Sequence, residues 1–259
     1  MIRAIRALVA LALLTGTARA PDLDAQDSSS TPAGVVAPSA AIDSVSAFER
    51  PNGAAVRASV TTYRLSLLRD AGPTALGART VEVSESMLGG APTWLIAERR
   101  TGSAVSTTDS LWVARADLTP LRWVATVDRT QLAASFSRDS IFGALQSYSG
   151  RGSFTATLLP GALVTPGMVE RVIELLPLAN GYRAGASLVL VDVGTPRALP
   201  AEIAVEREER ARTSSGDVDC WVVVLRAGAM EERLWVDKAR RLVVRTEQRT
   251  RAGTVVGEL

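Results

Sequence analysis

The amino-acid sequence predicts a mainly β protein: a large curved antiparallel sheet or open β-barrel, with one amphipathic helix packed on its apolar face. Three observations carry this. From about Val56 onward, runs of strand-forming residues are broken at short intervals by Gly, Pro and Asp. The breaks are too short for the crossover that a parallel pair needs, so sequence neighbours should pair antiparallel. A single stretch, Thr165 to Leu176, carries the apolar period of a helix instead.

The first strands are expected at Val56–Arg69, Leu76–Met87, Thr93–Arg100 and Thr107–Ala114, followed by Leu121–Val127, Gln131–Ser137, Ser140–Ser147 and Gly152–Leu158. Ala71-Gly72-Pro73, Leu88 to Pro92 and Thr101-Gly102-Ser103 are turns between them. The helix is bounded by Thr165 as N-cap, Pro166 at the first helical position and Pro177 past the last turn. Val169, Val172, Ile173 and Leu176 form one apolar stripe, while Glu170, Arg171 and Glu174 are expected to face water. Strands resume at Ser187–Val193, Leu199–Ala211, Val218–Arg226, Met230–Val236, Leu242–Arg251 and Thr254–Glu258. Both alternating sets are apolar between Cys220 and Leu225, so that strand should be covered on both faces. Arg245, Glu247, Arg249 and Arg251 read as a solvated face with cross-strand pairs.

Ahead of this domain (residues 56–259) the chain reads differently. Residues 1–20 have the form of a signal peptide: Arg3 and Arg6, the apolar run Ala7 to Leu14, then Ala18-Arg19-Ala20. Residues 21–55 are rich in Ser, Ala, Pro and Asp and read as a flexible segment. The apolar run is too short to span a bilayer, and no later segment has the length and apolarity of a membrane helix, so an integral membrane protein is not expected. No cysteine lies near the cleavage region, which excludes lipid attachment there. The expected location is periplasmic or otherwise exported.

Composition narrows the chemistry. Loss of Arg3, Arg6 and Arg19 takes the formal charge from +2 to −1, so the mature chain lacks the broad basic footprint of a nucleic-acid binder. Histidine is absent, which removes Ser-His-Asp and Cys-His catalysis and His-ligated zinc. Cys220 is the sole cysteine and, in an apolar strand, reads as a buried, inert thiol. Asp217 and Asp219 follow a Ser/Gly loop without the ligand count of a calcium site, and no cofactor is implied. Glu206, Glu208, Glu209, Glu231 and Glu232 lie among arginines and read as exposed, paired charges. The tryptophans Trp94, Trp112, Trp123, Trp221 and Trp235 all fall in strands, as core or as pocket lining.

Three stretches carry a family resemblance: Tyr63 with Gly77 and Val81 to Val83; Met168 to Leu178 with Gly181; and Leu234 to Asp237, Leu242 to Arg245 and Gly253 to Leu259. The Leu118-Thr119-Pro120-Leu121 step also fits. In their order and spacing they resemble an uncharacterised bacterial periplasmic family, domain of unknown function 3108. The resemblance implies an envelope protein with a sheet similar to that of lipoprotein carriers, where a half-open barrel with a helical plug receives acyl chains. It supplies no catalytic residues.

The function expected is therefore a non-catalytic exported envelope protein that binds a lipid or other apolar molecule, with Val169, Val172, Ile173 and Leu176 lining the ligand or closing a core. The alternatives are a structural or interaction module that binds another envelope protein, and a carboxylate-only hydrolase. Processing is expected between Ala18 and Gln26. The intact mass of protein taken from a bacterial envelope fraction should correspond to a chain starting in that interval, and a retained Met1 counts against cleavage.

Overall fold

The computed structural model describes residues 49–102, 106–127, 130–148, 150–158, 160–164, 167–192, 195–214 and 216–259. The signal-peptide reading, most of segment 21–55 and the Thr165-Pro166 cap lie outside the described residues. Strands β1 (Ser59–Arg69), β2 (Gly72–Leu88), β3 (Ala91–Thr101), β4 (Thr107–Ala114), β5 (Pro120–Val127), β6 (Thr130–Phe136), β7 (Ser140–Ser147) and β8 (Gly150–Thr157) form an antiparallel meander. A short β9 (Ala162–Val164) leads into helix α1 (Met168–Leu175). A second meander follows: β10 (Arg183–Asp192), β11 (Thr195–Thr213), β12 (Gly216–Ala227), β13 (Met230–Asp237), β14 (Leu242–Thr250) and β15 (Gly253–Glu258).

Pairing of β1 with β15 fuses the two meanders into one sheet with β8 and β9 at its edges. The pairs are antiparallel except β9 with β10, a three-residue parallel match that the sequence reading did not include. Its residues Ala162, Leu163 and Val164 are fully apolar and too few to show a period. The sheet is strongly curved but open. β8 comes alongside β11 across the hollow without joining it in the hydrogen-bonded order. Register shifts at Leu65/Ser66, Trp112/Val113, Val205/Arg207 and Trp235/Val236 supply bends, since an extra residue on one strand increases local twist.

The concave face holds the main core. Tyr63, Val81, Ile96, Leu111, Trp123, Val223, Leu234 and Val243 belong to it, with Met168, Val169, Val172 and Ile173 from α1. A smaller cluster of Ala211, Cys220, Val222, Trp235 and Val244 covers the other face of β12, which explains why both alternating sets of that strand are apolar. Residues before Val56 also contact the sheet. Arg50 donates to the carbonyls of Leu118 (3.4 Å) and Ala162 (3.2 Å). Gly53 donates to Ala116 O at 2.7 Å and accepts from Trp94 Nε1 at 3.1 Å. The last residues of segment 21–55 are thus pinned to the sheet.

Gly77 shows how closely β2 and β3 approach. Its φ is +120°, and a Cβ there would lie 1.9 Å from Thr101 O. Gly72, at φ +105° in the β1–β2 turn, has open space around it. Gly72→Ala should therefore cost only the backbone conformation, about 1–2 kcal/mol. Gly77→Ala adds a backbone clash and should cost several kcal/mol, roughly 3 or more. Urea denaturation of the two variants measures the difference.

Candidate functional site

Helix α1 lies in the hollow of the sheet, covered on all sides. The apolar stripe behaves as its period demands: Val169, Val172, Ile173 and Leu176 are 0–3% exposed and sit in the main core. The helix is shorter than the reading Pro166–Leu176, with Gly167 (φ +80°) in the capping position and Leu176 already extended. The charged face is a correction. Glu170, Arg171 and Glu174 do not face water; they are 2%, 6% and 7% exposed. A sheet that curls around a helix leaves it no solvent side, so each charge needs a partner from the protein.

The partners come from both meanders. Arg79 on β2 forms a buried ion pair with Glu170 and lies over the Tyr63 ring, 4.6 Å from its centroid. Tyr63 in turn donates its hydroxyl to Val243 O at 2.9 Å. Arg171 Nη2 is 2.8 Å from Glu174 Oε1, close enough for an ion pair but not aligned for a hydrogen bond. Glu174 Oε1 accepts from Val243 N–H at 2.9 Å. The last helical carbonyls are held by Arg241, a non-glycine residue at φ 55°: its Nε donates to Glu174 O at 3.1 Å and its Nη2 donates to Leu176 O. At the other end, a Cβ on Gly167 would meet Ile96 Cγ2 at 3.2 Å and Glu98 Oε2 at 3.6 Å, so the helix start rests against β3.

The register explains the polar patch under the helix. Tyr63, Arg79, Arg100 and Thr107 are successive cross-strand partners on β1 to β4, and Val81, Glu98, Asp109 and Ala125 form the next row on β2 to β5. Arg100 Nε donates to Glu98 Oε1 at 2.6 Å. Glu232 on β13 lies opposite the core residue Leu225 of β12. Several buried atoms have no hydrogen-bond partner among the described residues: Arg79 Nε, Arg171 Nε, Glu98 Oε2 and Glu170 Oε2.

Burial sets the electrostatics. It pushes the Asp109 carboxyl up to about 7, helped by Glu98 and opposed by the hydrogen bond from Trp123 Nε1. Glu174 is pushed up to about 7 by burial, against the pull of Arg171 and the Val243 N–H. Glu232 reaches about 7 through burial and the nearby Glu170. Burial acts to lower the Arg79 guanidinium, but Glu170 and Glu98 hold it firmly protonated. The Tyr63 hydroxyl is raised, first by burial and then by Glu170.

Other expected positions resolve singly. Glu232 is not an exposed paired charge, because its strand parity turns it inward, away from Arg233 and toward Arg79 and Arg100. Glu206 and Glu231 are paired on the outer face, with Arg233 3.2 Å from Glu206 and 2.7 Å from Glu231. Cys220 is buried, and burial followed by Asp237 pushes its thiol up to about 11. Trp94 and Trp123 are core residues, Trp235 belongs to the outer cluster and Trp221 carries Arg241 over its ring. Among the described residues no group of three or more His, Cys, Asp or Glu side chains could hold a metal ion, and no helix is long and apolar enough to cross a membrane. Two surface hollows, at the β1–β2 and β14–β15 turns and at the β11–β12 turn, lie away from α1.

Asp109, Glu174 and Glu232 predict an inverted pH dependence. Their folded values lie above the unfolded ones, so between about pH 4.5 and 7 the folded state binds more protons. Their contribution to stability is present at low pH and lost as pH rises through 7. The Asp237 carboxyl acts oppositely but only in the acid range: burial raises it, while the backbone and side chain of Arg240 hold it below its usual value. The urea midpoint should therefore be higher at pH 5.5 than at pH 8, and Glu174→Gln should flatten the difference.

Comparison with known proteins gives one result. The family model described as "Protein of unknown function (DUF3108)" matches residues 62–259, from β1 to the last residue. No curated protein and no solved structure matches. The matched span includes Tyr63, Arg79, α1, Arg241 and Val243, the whole helix-holding apparatus, and the chain belongs to the DUF3108 family.

Proposed function

We propose that this protein is a non-catalytic binding protein of the bacterial envelope, which receives an amphiphilic molecule in the concave face of its sheet with α1 as a displaceable plug. The observation that supports this reading is the burial of the helix's charged face against the sheet. A helix that only completes a core is held more cheaply by apolar contacts, because desolvating an ion pair often outweighs its attraction. A helix that must leave and return gains from charges that are satisfied by water outside and by partners inside. The open edge between β8 and β11 gives the hollow a side on which it can widen. The basic and apolar pattern of residues 1–20 supports export.

A second reading, an interaction module of the envelope, is favoured by one feature. Phe142 on β7 and Tyr148 just after it are 46% and 92% exposed, beside the edge strand β8. Ligand binding separates the two. Lipid extraction and mass spectrometry of protein purified from the envelope should return a bound amphiphile, and a fluorescent fatty acid should titrate. Leu176→Ala removes a fully buried side chain and should cost roughly 2–5 kcal/mol of stability. Because it weakens the plugged state, it should also raise apparent affinity for the probe. A lowered melt with no binding before or after mutation would favour the interaction module.

A further inference from the structure

The electrostatic match between helix and wall centres on one direct ion pair. On the helix, Arg171 lies within 2.8 Å of Glu174, and Glu170 is the carboxylate that reaches across to the wall. On the wall beneath it, Arg100 is taken by Glu98 at 2.6 Å, which leaves Arg79. Burial pushes Asp109 and Glu232 up to about 7, so each is only partly ionised near neutral pH. Arg79 is thus the cation that the helix must satisfy, and Glu170 is what satisfies it.

The match is incomplete. Only Nη2 of Arg79 meets Glu170, through Oε1; Arg79 Nε and Glu170 Oε2 both lack a hydrogen-bond partner although their side chains are 7% and 3% exposed. A guanidinium is built for two parallel bonds to one oxyanion, and a fork of that kind is stronger than a single contact. An anion free to turn can make both bonds, whereas Glu170 is fixed in direction by α1. Glu170 shares α1 with Val169, Val172 and Ile173, which lie in the same apolar cluster as Val81, two residues from Arg79 on β2.

We propose that Arg79 is the anion-recognising residue of the concave site and that Glu170 occupies it as a built-in competitor, so that the ligand is an anionic amphiphile: an acyl or alkyl chain ending in a carboxylate or a phosphate. The proposal rests on the plug reading above. Glu170 stands where the head group goes and the apolar stripe of α1 stands where the chain goes. Displacement exchanges a one-bond ion pair for a two-bond one, and Glu170 returns to water.

The test uses laurate, dodecyl phosphate and dodecanol, which share a chain and differ in the head. Each is titrated against the uncharged probe phenylnaphthylamine bound to the full chain. Wild type should bind laurate or dodecyl phosphate, or both, more tightly than dodecanol, and the stronger of the two identifies the head group. Glu170→Gln keeps the shape but removes the competing charge, and should tighten anion binding by about tenfold. The double variant Arg79→Gln with Glu170→Gln leaves no unpaired charge to unfold the protein, and should bind all three ligands alike. Equal binding of the three by wild type, with no gain in Glu170→Gln, overturns the inference and leaves the plug reading standing. Failure of every variant to bind the probe or any of the three overturns both.

Discussion

The burial of the Arg79–Glu170 pair is the constraint from which the arrangement of this molecule follows. Glu170 can be inside only if a cation meets it, and that cation comes from β2, at the far side of the hollow from the strands that lead into α1. The pair fixes the rotation of the helix about its axis. Once Glu170 points at Arg79, the helical spacing turns Val169, Val172 and Ile173 into the apolar cluster and leaves Arg171 and Glu174 to face each other. Glu174 then reaches the Val243 N–H, whose carbonyl already accepts from Tyr63. One ion pair, one tyrosine and one strand residue thereby close a loop of contacts between the two meanders.

Arg241 does for the helix end what a cap usually does from within the helix. The final carbonyls of a helix have no intrahelical donors and need partners when buried. Here a guanidinium from the β13–β14 turn supplies them, with its face on Trp221. A cation at the negative end of the helix is also favourably placed. Its left-handed backbone is uncommon for a non-glycine residue and follows the turn in which Asp237 accepts from the Ala239 and Arg240 N–H groups. The end of α1 is therefore held by a turn distant in sequence, and its start rests against β3.

Much of the fold was legible in the sequence because strand and turn chemistry are local. Gly, Pro and Asp mark the breaks, and alternation marks the faces. The parallel β9 escaped because three apolar residues carry no pattern. The helix was legible as an element, and its apolar stripe was assigned correctly. Its charged face was misread for a physical reason: an amphipathic pattern states which side is buried first, not whether the other side meets water. That depends on how far the sheet curls, which is set by bulges such as Leu65/Ser66 and Trp235/Val236 that have no distinctive residues. Glu232 was misjudged in the same way. Among the arginines of its neighbourhood it looks like one more surface charge, and only strand parity separates it from Glu231. Arg79 offered no signal at all, since a lone arginine in an alternating strand is ordinarily a solvent-facing residue.

The pairing of β1 with β15 has a consequence for the order in which the chain can fold. The β1–β8 meander contains only neighbouring pairs and can assemble from local contacts. Its β1 edge stays unpaired until the last strand of the domain arrives, and Tyr63 on that edge has no Val243 carbonyl to meet. An open edge with a buried-type tyrosine and arginine is a site where a nascent chain can stick to another. The arrangement ties closure of the first meander to the last strand of the second: until β15 has been made, the β1 edge is what a chaperone of this domain has to guard.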